Sequence, residues 1–196
     1  KARSEAGAGD PGPRGVAAGL LYGIRTDTHR PPAGCSAADF AAAGDVCPGI
    51  DEDRLDRSAN PEVSTEVLEL KARAIAGRDV RGPFAVSDVG RLSNVDAIPQ
   101  AADELVQLEG VTAVVVLGES DGTIHLSGRS RDDRVHVGDT LDTAVSVFRE
   151  GSAGGHARMG GGQLSIRESV IETVTGETVP RDGLRERLFD AMAGEI

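Results

Sequence analysis

The sequence has few cysteines, few lysines, few aromatics and no long apolar run. Two cysteines, Cys35 and Cys47, are too few for a disulfide framework or a zinc ligand set. They are read as reduced thiols of a cytoplasmic protein. No stretch approaches the ~20 apolar residues that a bilayer span requires, so no membrane segment is expected. The opening KARSEAGAGDPGPRG lacks an apolar core of the signal-peptide kind, and nothing in it argues for secretion. Lysine occurs only at positions 1 and 71, which leaves arginine to carry nearly all of the positive charge. Aromatic residues make up only 3% of the chain.

What is present is an acidic, alanine- and glycine-rich chain of 196 residues, long enough to bury a core. Its 39% hydrophobic content is ordinary for a globular protein. Asp and Glu number 32 against 21 Lys and Arg, a net charge of −11. An acidic, lysine-poor surface resembles that of proteins from salt-rich, halophilic cytoplasm, although an acidic protein from a GC-rich genome has the same composition. Such a charge disfavours a grip on long nucleic acid, where phosphate neutralisation by a basic face supplies most of the affinity. A small phosphorylated ligand in a local pocket suits it better.

Pattern reading gives an α/β chain in two parts. Residues 14–24 read as a buried helix running into the polar loop RTDTHR. Ser36, with Asp39 three residues on, predicts a capped short helix closing at Gly44. After a polar stretch at 45–61, Asn60-Pro61 is expected to cap a helix through about Gly77. Beyond it, PFAVSDVG (83–90) and VTAVVVLGES (111–120) read as strands with a helix at 96–108 between them. Asp121-Gly122 predicts a hairpin turn into TIHLSGRSR (123–131). Asp139-Thr140 is expected to cap a helix through Phe148; a glycine-rich segment, a strand at 163–167 and an amphipathic helix at 182–193 follow. A hairpin together with intervening helices implies a mixed sheet.

Three segments could carry chemistry. GSAGGHARMGGGQ (151–163) surrounds His156 and Arg158 with glycines, including Gly154, Gly155, Gly160 and Gly161. Glycines let a backbone approach a ligand closely and present N–H groups to an anion. His156 can donate to a phosphate oxygen, and Arg158 can fork across two. Glycine runs also serve as flexible connectors, but enclosing a histidine and an arginine between a helix and a strand favours the phosphate site. SGRSRDDR (127–134) offers Arg129, with Ser127 and Ser130 as hydroxyl donors, while Arg131 and Arg134 read as surface. Asp27, in RTDTHR, could ligate a hard divalent cation, with His29 two residues on. His125 and His136 are read as structural.

These segments, in this order, resemble the DHH phosphoesterases and their DHH-associated C-terminal domain. LLYGIRTDTHR (20–30) is similar to the fourth motif of the catalytic domain, SGRSR (127–131) to the arginine-bearing strand, and GGHARMGGG (154–162) to the glycine–histidine loop. The resemblance implies that Asp27 is a catalytic manganese ligand. It implies that Gly154, Gly155, His156, Arg158, Gly160, Gly161, Arg129 and Ser130 bind the substrate phosphate. It implies two Mn²⁺ ions, or Mg²⁺, in the complete enzyme, and residues 1–60 as the end of the α/β catalytic domain. Residues 61–77 would be a connecting helix and 78–196 the substrate-binding domain. The chain contains no Asp-His-His sequence, so the first three motifs are expected in a preceding DHH segment, without which it would be inactive. The implied substrates are short oligonucleotides or nucleoside phosphates such as pAp, favoured by the acidic bulk over the long strands of RecJ-related exonucleases. A nucleotide- or nucleic-acid-binding module without catalysis, reading a cyclic dinucleotide or tRNA, is the alternative; a homodimer stays open.

Overall fold

The computed structural model describes residues 16–17, 19–23, 36–50, 53, 62–167 and 170–196. The chain divides into two compact units, Lys1–Glu62 and Val63–Ile196.

In the first unit, residues 16–17 and 19–23 are helical. The Ser36 capping box opens α1 (Ala37–Val46), with the Ser36 N–H donating to Asp39 Oδ2 at 2.7 Å. The helix passes the glycine expected to close it and tightens into a 3₁₀ turn at Cys47–Gly49. Cys47 is a free, exposed thiol.

The second unit is a mixed six-stranded sheet between two helical layers. It begins with α2 (Thr65–Ala76), whose cap is Ser64 rather than Asn60: the Ser64 hydroxyl accepts from the Val67 N–H at 3.3 Å. This helix buries Val67, Leu70 and Ala74 in the core of the second unit. The strands β1 (Arg78–Arg81), β2 (Phe84–Arg91), β3 (Ala113–Ser120), β4 (Thr123–Ser130), β5 (Ser152–Gly155) and β6 (Met159–Ser165) form the order β1-β2-β3-β4-β6-β5. Only β2 and β3 are parallel, because α3 (Ala97–Leu105) carries the chain back between them. The β3–β4 turn is the expected two-residue one, with positive φ at both Asp121 and Gly122.

Helices α2 and α3 cover one face, burying Ala85, Val89, Val114 and Val116 of β2 and β3. The other face is covered by α4 (Val137–Val145) and α5 (Arg181–Ala193), through Leu141, Leu184 and Leu188. A small two-stranded ribbon, β7 (Val170–Glu172) and β8 (Thr178–Pro180), precedes α5. Arg181, at the start of α5, binds both oxygens of Asp88 on β2 at 2.5 and 2.7 Å and Glu119 on β3 at 2.8 Å.

Two further expectations are corrected. The cap of α4 is His136, whose Nδ1 accepts from the Asp139 N–H at 3.2 Å, in place of Asp139-Thr140. The glycine-rich segment is a β-hairpin rather than a loop, and its second strand starts at Met159 instead of Gln163. Glycines, weak strand formers elsewhere, are favoured here because α4 comes within contact of the hairpin backbone. A Cβ at Gly138 would stand 2.7 Å from the carbonyl of Gly155.

The α4 layer therefore anchors the hairpin. Leu141→Ala removes a fully buried side chain and is expected to cost about 2–5 kcal/mol in urea unfolding; a loss below about 1 kcal/mol would contradict this packing.

Candidate functional site

Side-chain alternation along β4 sorts its residues between the two faces. Ile124 and Leu126 enter the α4–α5 core, which places Ser127 and Arg129, with His125, on the opposite face. There α3 covers β3 and the edge of β4 but leaves β6 and β5 open. The result is a cleft of about 390 Å³ whose polar lining includes His125, Ser127, Arg129 and His156.

Strand register defines its floor. Ser127 pairs with Gly161, and Gly161 with Gly154, so one row across three strands ends in two residues without side chains. A Cβ on Gly154 would meet nothing within 4 Å, and on Gly161 only the Leu126 carbonyl at 3.4 Å. On one side of this trough lies the row of Arg129 and Met159, with His156 next to it: its N–H donates to the Met159 carbonyl at 2.7 Å. On the other side lies His125, paired with Gln163, which in turn pairs with Ser152. Val95, Ile98 and Pro99, at the start of α3, form an apolar wall.

Arg129 is pinned before any ligand arrives. Its Nη1 donates to Ser127 Oγ at 3.0 Å and to the Gly128 carbonyl at 2.9 Å, and its Nε to Asp103 Oδ1 on α3 at 2.5 Å. The Arg129 side chain is 17% exposed against 58% for that of Asp103, and Nη2 bonds to no described residue. A guanidinium held through Nε and Nη1, with Nη2 unused, is a pre-organised anion contact. His125 and His156 likewise make no side-chain hydrogen bond to a described residue.

Of the residues singled out from sequence, Arg129, Gly154, Gly155, His156, Gly160 and Gly161 all line this cleft. Two do not. Ser130 falls on the opposite face of β4 by strand alternation, buried, with its hydroxyl donating to the Asp132 carbonyl at 2.9 Å. Arg158, in the hairpin turn, donates to Asp133 at 2.6 Å and lies outside the cleft lining. Asp27 and His29 lie outside the described residues. Arg134 stays at the surface, and its hydrogen bonds hold the Asp132 carboxyl down at about 2. His125, read from sequence as structural, is instead a lining residue; its spacing of four from Arg129 was the available signal. Nothing in the sequence pointed to Met159 or to the apolar wall. Among the described residues no group of three or more His, Cys, Asp or Glu could hold a metal ion. None of their helices is long and apolar enough to cross a membrane.

Residues 81–175, which include β2 to β6 and most of this cleft, match the DHHA1 domain. The match takes in SGRSR and GGHARMGGG, the segments whose resemblance is to a C-terminal domain of the DHH family. Over 184 residues, 93% of this chain, the sequence is 34% identical to an uncharacterised protein of Methanocaldococcus jannaschii, of which it covers 36%. The structure is similar to that of an exopolyphosphatase-related protein from Bacteroides fragilis, with a TM-score of 0.69 at 14% identity. That match covers 92% of this chain and 50% of the other. The chain therefore spans about a third of the first relative and half of the second.

The two hairpin glycines should respond differently to a methyl group. Gly154→Ala, with open space and an ordinary φ, is expected to leave the thermal midpoint of this unit unchanged. Gly155 has φ +150° and a Cβ there would stand 2.4 Å from the Gly160 Cα. Gly155→Ala should lower the midpoint, by about 2–4 °C for each kcal/mol lost. Equal effects in thermal melts would contradict the assignment of faces.

Proposed function

We propose that this chain is part of a metal-dependent phosphoesterase acting on short oligonucleotides or nucleoside phosphates such as pAp, in which the DHHA1 domain grips the substrate phosphate. The observation that carries the reading is the side-chain-free trough of Gly154 and Gly161 with Arg129 and His156 along one margin. A phosphate lowered onto that floor reaches the free Nη2 of a fixed guanidinium and an imidazole donor together. Both contacts are charge-assisted, the strong class of hydrogen bond. The apolar wall of Val95, Ile98 and Pro99 suits the less polar body of such a ligand.

The bulk charge of −11 supports a small ligand over a long one. A polyanion would meet the acidic surface along its length, whereas a nucleotide end meets only the cleft.

Catalysis asks for more than a grip. The described residues do not fit a divalent ion, and no hydrolytic step follows from them. Asp27, outside the described residues, is our candidate ligand for Mn²⁺ or Mg²⁺, oxygen-seeking cations of the kind that activate water in phosphoryl transfer. The DHHA1 residues would bind and orient the ester for that chemistry.

Calorimetric titration of the full-length protein with pAp, with and without Mn²⁺, tests the grip. His156→Ala should weaken binding by about 1–3 kcal/mol, the cost of losing a charge-assisted contact; unchanged affinity would remove the phosphate-site reading. Asp27→Asn should abolish Mn²⁺-dependent turnover while leaving metal-free pAp affinity intact. Full turnover in that variant would contradict the role given to Asp27, and pAp binding by the wild type without turnover under any metal would leave a binding domain.

A further inference from the structure

We propose that the row carrying His125 is a second anion subsite of the cleft, receiving another phosphoryl group of the same ligand. This rests on the reading of the trough as a phosphate grip and adds to it a preference for ligands with two phosphates.

The argument comes from the register. His125 and Arg129 project from the same face of β4, four residues apart, or about 13–14 Å between Cα atoms at ~3.4 Å per residue. Ser127 and the bare row of Gly161 and Gly154 lie between them. The cleft lining takes in Arg129 and His156 on one side of this floor and His125 on the other, and Gln163 and Ser152 continue the His125 row beyond the lining. A phosphate held by Arg129 and His156 occupies one margin and leaves the other, with His125, Gln163 and Ser152, without a role.

The His125 row carries donors. The imidazole, the Gln163 amide and the Ser152 hydroxyl can each donate a hydrogen bond, and the row contains no carboxylate. Asp96, the one acidic lining residue, belongs to the α3 wall. In a chain with 32 acidic residues, a donor row free of carboxylates on an open face suits an anion rather than a cation. The His125 side chain is half-buried on the sheet and makes no hydrogen bond to a described residue, which leaves its N–H for a ligand. The side-chain-free floor leaves room for the sugar and base that join two phosphates.

The experiment is calorimetric comparison of adenosine 5′-monophosphate with pAp, which carries one phosphate more, on wild-type full-length protein and three variants. Wild type is expected to bind the bisphosphate roughly tenfold or more tightly than the monophosphate, as one further charge-assisted contact would give. His125→Ala should erase that ratio while leaving monophosphate affinity unchanged. His125→Gln, which keeps an N–H donor, should restore part of it; a loss of fold would lower both affinities instead. His156→Ala should weaken both ligands in parallel. Equal affinity of wild type for the two nucleotides, or a ratio unaltered by His125→Ala, would overturn the second subsite and leave the phosphate grip standing. Failure of wild type to bind either nucleotide would overturn both.

Discussion

The approach of α4 to the β5–β6 hairpin sets the geometry on which the rest of the domain depends. There is no room for a side chain at this contact. A Cβ on Gly138 would come within 2.7 Å of the Gly155 carbonyl, and one on Gly128 within 2.6 Å of Val137. Helix and sheet meet backbone to backbone, with Val137 and Leu141 filling the space over Gly160. Because close packing tolerates little extra volume, the glycines of this face are fixed by α4. The glycines of the opposite face, Gly154 and Gly161, meet no helix and floor the cleft. One short hairpin thus uses the same residue type for two opposite ends, tight contact on one side and open access on the other.

Charge placement follows a similar division. Most arginines of the domain are engaged in structural pairs: Arg181 ties α5 to β2 and β3 through Asp88 and Glu119. Arg81 binds Glu186 and stacks over Phe189, 4.2 Å from the ring centroid. Arg129 is the one guanidinium lining the cleft, and even there Asp103 pairs with its Nε. An arginine half-neutralised in this way adds little to the long-range field but keeps short-range donors in place. Such a site favours a ligand recognised at contact distance over one gathered from afar.

Much of this fold was legible in the sequence where a local rule governs it. The Asp121-Gly122 turn, the continuous apolar run of β3 and the Leu184, Leu188, Phe189 and Met192 face of α5 follow from turn chemistry and periodicity. The hairpin at 152–165 was not legible, because its stability comes from α4 and β4, far away in sequence, and glycine carries no strand signal of its own. The same limit applied to the site. Arg129, His156 and their glycines could be found as a motif. Ser130 and Arg158 share that motif but are drawn elsewhere, Ser130 by strand alternation and Arg158 by the Asp133 carboxylate. His125 entered the cleft through a register between strands that sequence spacing gives only once the strand is known. The match of residues 81–175 to the DHHA1 domain agrees with the motif while leaving such side-chain placements to the three-dimensional contacts.

The central claim is that the open face of β4, β6 and β5 receives a phosphate ester. Amide chemical-shift mapping of the isotopically labelled protein during pAp titration tests it most directly. The account predicts saturable shifts at Ser127, Arg129, Gly154, His156 and Gly161, with α5 and the β7–β8 ribbon unmoved. Shifts confined to the ribbon side, around Arg149 and Arg167, or no saturable shift anywhere in the domain, would contradict it.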